Sequence, residues 1–190
     1  MLRVLDVMFA FFGLLFVSPL LLVLWGIGLF RMGSPLFLQT RAGRWQRPFT
    51  LIKFRTMRPD TASVATHLAD ASAIPPWGAF LRRTKLDELP QLWNVLTGDM
   101  SLVGPRPCLF NQQELIAARA RHGVFAARPG ITGLAQIAGI DMSTPELLAL
   151  ADAKMLATLN VKNYVRYILL TLVGHGSGDR VRPHDNPPSP

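Results

Sequence analysis

The chain opens with its longest run of apolar residues. No residue from Val7 to Phe30 is charged, and a helix needs about 20 apolar residues to cross the hydrocarbon layer of a bilayer. The run is longer than the apolar core of a signal peptide, and no small-residue cleavage site precedes the turn at residues 33–35. The pattern therefore predicts a membrane helix over residues 1–32.

Ser18 and Pro19 lie in the middle of this apolar run. Proline removes a backbone hydrogen bond and commonly kinks or breaks a helix. Basic residues flank the run on both sides, whereas a simple span usually has its Lys and Arg excess on one side; they are Arg3 before it and Arg31, Arg41, Arg44 and Arg47 after it. We therefore favour a re-entrant helix–break–helix. A kinked single span stays open as the alternative.

The next segment alternates apolar and polar residues. Two extended arms, 35–41 and 48–57, flank a loop that contains Gly43 and predict a β-hairpin. In the second arm, the period of two places Lys53 and Arg55 on the same face. Such a pair lies more often on a solvated strand face than in a phosphate site, and both interpretations stay open.

Helical periodicity returns further along the chain. Residues 58–77 are polar and proline-rich and predict a loop, in which His67 is expected to be a surface histidine. Apolar residues at helical spacing and helix-start signatures then predict three helices, over 87–97, 112–122 and 143–159.

The last part of the chain changes character twice. Residues 161–174 mix tyrosines, cations and aliphatic residues, as an interfacial helix does, and the tail 175–190 is expected to be disordered. The predicted fold class is therefore α+β and mostly helical. A re-entrant membrane helix precedes a compact domain, residues 33–174, with a small β-hairpin and amphipathic interfacial helices.

Composition points to an anionic partner. The 190 residues include 20 Lys and Arg against 12 Asp and Glu, a net charge of +8. Nucleic acid, lipid headgroups and phosphorylated small molecules all fit that charge. Cys108 is the single cysteine, so no intrachain disulfide can form, and a domain that faces the cytoplasm fits better than one in an oxidising compartment.

The acid pair Asp87 and Glu88 lies among cations. One interpretation is a capping box with Thr84 as the N-cap, but Pro90 would then lie inside the helix at a cost of about 3 kcal/mol. If Asp87 itself is the N-cap, Pro90 falls in the first turn, where proline is tolerated.

The alternative for the acid pair is chemistry. A carboxylate that attacks phosphorus forms an acyl phosphate, and the charge repulsion must be screened by cations or by Mg²⁺, for which Glu88 is a suitable ligand. The candidate cations are Lys53, Arg82, Arg83, Lys85 and Arg106. From the residues alone, capping and catalysis stay equally open for Asp87.

A series of motifs then runs in order along nearly the whole chain. They are Arg3 and Asp6, Ser18-Pro19, Gly33-Ser34-Pro35, Lys53-Phe54-Arg55-Thr56-Met57, Leu86-Asp87-Glu88-Leu89-Pro90-Gln91-Leu92, Gly104-Pro105-Arg106-Pro107 and Arg128-Pro129-Gly130-Ile131-Thr132-Gly133. This set resembles the bacterial sugar transferases, which are small monotopic phosphoglycosyl transferases.

The resemblance implies an enzyme on the cytoplasmic face of the bacterial inner membrane. Such enzymes move a sugar 1-phosphate from a UDP-sugar to polyprenol (undecaprenyl) phosphate and release UMP, which initiates glycoconjugate or polysaccharide synthesis. Carried over, Asp87 would form a covalent phosphosugar intermediate, and Asp87 and Glu88 would bind Mg²⁺. The residues expected to bind substrate and its phosphates are Lys53, Arg55, Arg82, Arg83, Arg106, Arg128 and Gln136. Membrane lipids are expected partners and nucleic acid is not.

Some positions qualify the resemblance. Many members have an arginine where this chain has Ile140 and an aspartate where it has Tyr164, which puts sugar recognition in doubt. Asp141 and Asp152 are nearby acids that could compensate, and Asp152 could equally be a helix-surface charge. Gly130 and Gly133 either let the backbone approach the ligand or belong to plain turns.

Two other functions compete with phosphosugar transfer. A membrane glycosyltransferase that moves the sugar alone would release UDP instead of UMP. A membrane-anchored basic module for nucleic acid or anionic lipid would show salt-sensitive binding without turnover. The sugar, the polyprenol length, the glycan pathway and the oligomeric state are not determined by the sequence.

Overall fold

The computed structural model describes residues 1–58, 61 and 73–174. The predictions for His67, for most of the loop 58–77 and for the tail 175–190 fall outside those residues. The elements in order are α1 (Leu2–Met32), β1 (Leu36–Ala42), β2 (Pro48–Phe54), α2 (Pro76–Thr84), α3 (Gln91–Thr97), β3 (Ser101–Val103), α4 (Gln113–Arg121), β4 (Gly130–Thr132), α5 (Leu134–Ile137), α6 (Pro145–Thr158) and α7 (Val161–Leu172). This arrangement confirms a mostly helical α+β fold.

Helix α1 is continuous through Pro19. The predicted break at Ser18 and Pro19 is therefore wrong as secondary structure. Pro19 has no N–H to offer the carbonyl of Leu15, four residues earlier, but the Ser18 hydroxyl donates a hydrogen bond to that carbonyl at 2.8 Å. The serine replaces the donor that the proline removes, so the helix continues.

One face of α1 packs along the rest of the chain. Near its start, Ala10 contacts a core formed by β2 and α3, and near its end Leu24 packs with Phe54 and Leu81. The rest of α1 exposes large apolar side chains, such as Phe16 and Phe30. Among the described residues, α1 is the one helix long and apolar enough to cross a membrane.

The β-hairpin is confirmed. Strands β1 and β2 pair antiparallel, with Leu36 opposite Phe54 and Ala42 opposite Pro48. The Asn94 side chain fastens α3 to the hairpin, because it accepts a hydrogen bond from the Ile52 N–H and donates one to the Thr50 carbonyl. The hairpin, α1 and α3 therefore pack against one another in one core.

The helix predictions hold in part. Helices α4, α6 and α7 lie within two residues of the predicted bounds, but α3 begins four residues later than predicted, at Gln91. Thr144 is the N-cap residue of α6, but its hydroxyl makes no capping hydrogen bond to that helix. Helices α2 and α5 and the strands β3 and β4 were not predicted.

Strands β3 and β4 form a short parallel pair around three glycines. A Cβ on Gly130 would lie 2.0 Å from the backbone nitrogen of Gly104, and one on Gly133 would lie 2.6 Å from the Gly104 carbonyl oxygen. These glycines therefore let two backbone segments approach each other. The close approach that the structure shows is between two segments of the chain itself, and approach of Gly130 and Gly133 to a ligand stays a prediction.

We expect Gly130→Ala to destabilise the domain by about 3 kcal/mol or more, because the methyl group would overlap backbone atoms that cannot rotate away. Thermal unfolding of the purified variant measures this loss. Gly26→Ala is the matched control, since a Cβ there meets no atom within 4 Å. Equal melting temperatures for the two variants would contradict the prediction.

A buried carboxylate joins the first and last helices. Asp6 is 3% exposed, and its Oδ1 accepts hydrogen bonds from the Tyr164 hydroxyl at 2.9 Å, the Ser101 hydroxyl and the Leu102 N–H. Tyr164 is fully buried, and burial together with the Asp6 carboxylate raises the pKa of its phenol. Tyr164, at the position where the resemblance led us to expect an aspartate, thus acts as a donor to Asp6.

We expect Tyr164→Phe to cost about 1–3 kcal/mol of folding stability, because a buried carboxylate loses one of its donors while the ring is kept. At about 2–4 °C per kcal/mol for a chain of this size, calorimetry resolves the change. Tyr167→Phe is the control, since that hydroxyl is not among the donors to Asp6. A melting temperature equal to that of the parent protein would contradict the assigned hydrogen bond.

Candidate active site

The acid pair lies in a tight turn between α2 and α3. Lys85 ends α2 in the left-handed region, with φ 57°, which is uncommon for a residue with a long side chain. A single 3₁₀ turn over Leu86–Glu88 follows. The turn brings Asp87 inside the protein, where it is 4% exposed.

Neither predicted N-cap position matches the observed helix bounds, since Thr84 ends α2 and α3 begins only at Gln91. The Thr84 hydroxyl donates to the carbonyls of Phe80 and Leu81 in its own helix, so it does not form a capping box with Asp87. Helix α3 has Pro90 as its N-cap, with no side-chain capping hydrogen bond. The observed N-cap of α3 therefore lies three residues after Asp87, the predicted N-cap position.

Glu88 pairs with the arginine of the Gly-Pro-Arg-Pro turn. Arg106 Nη2 donates to Glu88 Oε1 at 2.9 Å, and both side chains are largely buried. Lys85 lies close to both groups: burial lowers the pKa of its ammonium, Glu88 raises it and Arg106 lowers it further. The turn that carries Asp87 thus also carries the Lys85 ammonium and the Glu88 carboxylate, and the Arg106 guanidinium lies against it.

The opposite wall of the turn is the end of the hairpin. Lys53 is 7% exposed, and its Nζ lies 5.6 Å from the ring centroid of Phe37, so a solvated strand face is excluded for Lys53. Arg82 Nε donates to the Thr56 hydroxyl at 2.8 Å, which ties α2 to the residues after β2. Leu86 packs against the same cluster as Phe54. Lys53 and Arg82 therefore belong to the elements that enclose the acid pair.

The other predicted binding residues lie further from this turn or have other contacts. Arg55 shares the ring of Phe37 with Lys53 and donates to the carbonyls of Ser34 and Leu36. Arg83 is exposed on α2. Arg128 Nε donates to the Gly98 carbonyl, at the far end of α3, about 10 Å along that helix from the acid pair.

Gln136 differs from the other predicted binding residues. Both polar atoms of its side-chain amide are buried without a hydrogen-bond partner. An unsatisfied buried polar group costs about 1–3 kcal/mol. The predicted role of Gln136 in substrate binding stays a prediction.

The departures from the resemblance have structural explanations. Ile140 packs against the cluster that contains Cys108, Leu115 and Ala135, so this position contributes apolar packing. Asp152 is fully buried and pairs with Arg119 at 2.7 Å, so the helix-surface interpretation is wrong. Asp141 accepts hydrogen bonds from the backbone and side chain of Ser143 in a local turn.

The acid pair also fits the ligand chemistry of a hard divalent cation. In the part of the chain that the structure describes, no group of three or more His, Cys, Asp or Glu side chains converges. Mg²⁺ needs no such cage, since one or two carboxylates, water and substrate phosphates usually complete its octahedron. Asp87 and Glu88 are two adjacent carboxylates of that kind, and a role for them in binding Mg²⁺ stays a prediction.

Two features of the site were not predicted from the sequence. Lys85 was one of several nearby cations, and nothing in its neighbours indicated the left-handed backbone that places it beside Glu88 and Arg106. Arg119 lay in a predicted helix with no motif around it. Only its burial and its partner reveal that it belongs to the same network.

Comparison with known proteins identifies the family. The model of the bacterial sugar transferase family matches residues 1–175. The chain is 40% identical over 180 residues to a UDP-glucose:undecaprenyl-phosphate glucose-1-phosphate transferase of Caulobacter vibrioides, covering 90% of this chain and 67% of that protein.

Two further relatives cover less of this chain. An uncharacterized sugar transferase of Bacillus subtilis is 43% identical over 140 residues, which is 72% of this chain and 68% of that protein. An undecaprenyl-phosphate galactose phosphotransferase of Salmonella typhimurium is 37% identical over 155 residues, and the match spans 72% of this chain but only 32% of that protein. The chain belongs to the bacterial sugar transferase family.

Proposed function

We propose that this protein transfers a sugar 1-phosphate from a UDP-sugar to polyprenol phosphate and releases UMP, as the first step of polysaccharide assembly. The observation that carries the proposal is the buried Asp87 carboxylate, in the tight turn that also carries Lys85 and Glu88, with Arg106 paired to Glu88. The names of the relatives from Caulobacter and Salmonella support the donor and the acceptor.

The proposed chemistry has two steps at one carboxylate. An Asp87 oxygen attacks the phosphorus next to the sugar, the bond from that phosphorus to the UMP oxygen breaks, and UMP leaves with the electron pair. An oxygen of polyprenol phosphate then attacks the same phosphorus. The bond to Asp87 breaks, and the carboxylate is restored.

The residues around Asp87 meet the electrostatic demand of these steps. An anion that attacks a diphosphate is repelled unless fixed positive charge lies beside it. Arg106 is held in place by Glu88, and Lys53 is buried in β2. We propose that Lys53, Arg82 and Arg106 bind phosphate oxygens, with Arg55, Arg83, Arg128 and Gln136 further from the reacting atoms.

Mg²⁺ is the proposed cofactor. Asp87 and Glu88 would hold it together with the phosphates of the donor, and when bound it would supply positive charge to the diphosphate. Glu88 keeps a second carboxylate oxygen for this role, because its hydrogen bond from Arg106 uses Oε1.

The contacts of α1 support a re-entrant position in the membrane. Asp6 and Gly28 are 22 residues apart, a rise of about 33 Å, and both are buried against the rest of the chain. This distance exceeds the thickness of the hydrocarbon layer, about 30 Å. If α1 crossed the bilayer, its two buried ends would lie on opposite sides, and the domain packed against both of them would have to enter the bilayer. We propose that both ends of α1 stay at the cytoplasmic face of the bacterial inner membrane.

Helix α7 fits an interfacial position in the same arrangement. It exposes Val165, Leu169 and Leu172 together with Lys162 and Arg166, and such a mixed face suits the boundary between headgroups and acyl chains. The acceptor requires this location, because its phosphate is polar while its tail stays in the lipid.

Product identification tests the proposed function. The protein in nanodiscs is mixed with undecaprenyl phosphate and each of a panel of UDP-sugars, and the nucleotide product is separated by chromatography. UMP together with a lipid-linked sugar diphosphate is the expected result. UDP as the product would mean transfer of the sugar alone and would overturn the proposal, and so would the absence of turnover with every donor.

A further inference from the structure

We propose that Arg119 and Asp152, a buried ion pair between α4 and α6, are positioning residues that hold Arg106 in place for catalysis. The inference rests on the proposed function, in which Arg106 binds phosphate. Neither member of the pair reaches the acid pair itself. Their effect passes through the backbone of the Gly-Pro-Arg-Pro turn.

The geometry of the pair points to this turn. Arg119 Nε and Nη2 donate to Asp152 Oδ2 at 3.0 Å and 2.7 Å. The third nitrogen, Nη1, donates to the carbonyl oxygen of Arg106 at 2.7 Å. Because the guanidinium is planar and rigid, fixing one edge on Asp152 aims the other at Arg106.

Stability alone is a poor reason for this pair. Arg119 is 2% exposed and Asp152 is fully buried, and burial of two charges often costs as much as their attraction returns. Asp152 Oδ1 is buried with no hydrogen-bond partner. Burial also raises the pKa of the Asp152 carboxyl against the opposing effect of Arg119. A costly group of this kind calls for a role besides packing.

The turn is held on its other sides as well. Gly104 N–H donates to the Thr132 carbonyl, and Gly130 N–H donates to the Pro105 carbonyl at 2.9 Å. Arg41 Nη1 donates to the Pro107 carbonyl at 3.2 Å. Two buried arginines, Arg119 and Arg41, thus donate to the consecutive carbonyls of Arg106 and Pro107.

The side chain of Arg106 connects the fixed turn to the acid pair. Its Nη2 donates to Glu88 Oε1 at 2.9 Å, and Glu88 is the residue after Asp87. A displacement of about 1 Å at such a group can cost about 100-fold in rate. The pair therefore controls the rate of transfer by fixing where the Arg106 guanidinium lies.

A double substitution tests the inference without leaving a buried charge alone. Arg119→Met with Asp152→Val removes both charges and keeps most of the volume, a replacement that buried pairs often tolerate. We expect a folded protein whose kcat/KM for UMP release is about 10-fold to 100-fold lower. The chain offers a matched control in Arg121→Gln with Glu146→Gln, which removes an exposed ion pair between the same two helices; its activity should be unchanged.

A coupling measurement separates positioning from plain loss of structure. If the pair acts through Arg106, adding Arg106→Gln to the double variant lowers kcat/KM no further than Arg106→Gln alone. A folded double variant with the kcat/KM of the parent protein would overturn the inference. So would losses that multiply when the substitutions are combined.

A second variant covers failure of the double variant to fold. Arg119→Lys keeps the charge beside Asp152 but loses the planar fork that joins it to the Arg106 carbonyl, and a reduced kcat/KM is expected. Full activity of this variant would overturn the inference. Release of UDP by the parent protein would instead defeat the proposed function, so the two failures are distinguishable.

Discussion

Replacement of Asp87 by asparagine is expected to lower the rate of UMP release by more than about 10³-fold, the scale seen when a nucleophile is removed. An amide has nearly the same size and shape as the carboxylate, but it is a far weaker nucleophile toward phosphorus. Asn also caps helices about as well as Asp, and the N-cap position of α3 is Pro90. The fold should therefore survive the substitution.

Three measurements check this prediction. Thermal unfolding establishes that Asp87→Asn is folded, UMP release gives the rate, and mass spectrometry of the parent protein mixed with donor alone detects a phosphosugar adduct on Asp87. Glu114→Gln, at an exposed acid on α4, is the control with unchanged activity. Undiminished UMP release by Asp87→Asn would contradict a covalent role for this residue.

The second large effect is expected from Arg106→Gln. It removes a largely buried cation beside the acid pair and leaves Glu88 Oε1 without its 2.9 Å partner. Loss of one preorganised electrostatic donor costs about 10²–10³ in rate in other enzymes, and we expect a fall of about that size in kcat/KM. Glutamine is neutral and shorter than arginine, so the loss combines the missing positive charge with the lost contact to Glu88.

Arg106→Lys refines the interpretation. A lysine restores the charge as a point donor but cannot pair with Glu88 and a phosphate through a rigid fork, so a partial recovery is expected. Steady-state kinetics with varied donor concentration separate kcat from KM for both variants. If Arg106→Gln kept the parent kcat/KM while remaining folded, Arg106 would have no part in binding or catalysis.

The sequence predicted most features that repeat along the chain. The apolar run marked α1, period-two alternation marked the hairpin, and helical spacing with start signals marked α4, α6 and α7. Each of these patterns depends on neighbours within a few residues. The short strands β3 and β4 were missed because three residues are too few for any period to appear.

The wrong helix starts predicted around the acid pair have the same cause, because capping rules also use only residues that are close in sequence. Thr84, Asp87 and Pro90 were each compatible with a helix start, and local rules could not choose among registers. The left-handed turn at Lys85 decided the outcome. Helix α1 was expected to break at Pro19 because the rule for proline does not include the hydroxyl of Ser18 one residue earlier.

By itself, the sequence determined that this chain has a long apolar helix, a small α+β domain with excess positive charge, and an acid pair within motifs of a sugar transferase. Only the tertiary structure decided that Asp87 is buried, that Glu88 meets Arg106, and that Arg119 holds Arg106 from the other side. The physical reason is separation along the chain. These contacts join residues 13 to 33 positions apart, and no local period or capping rule carries information over that distance.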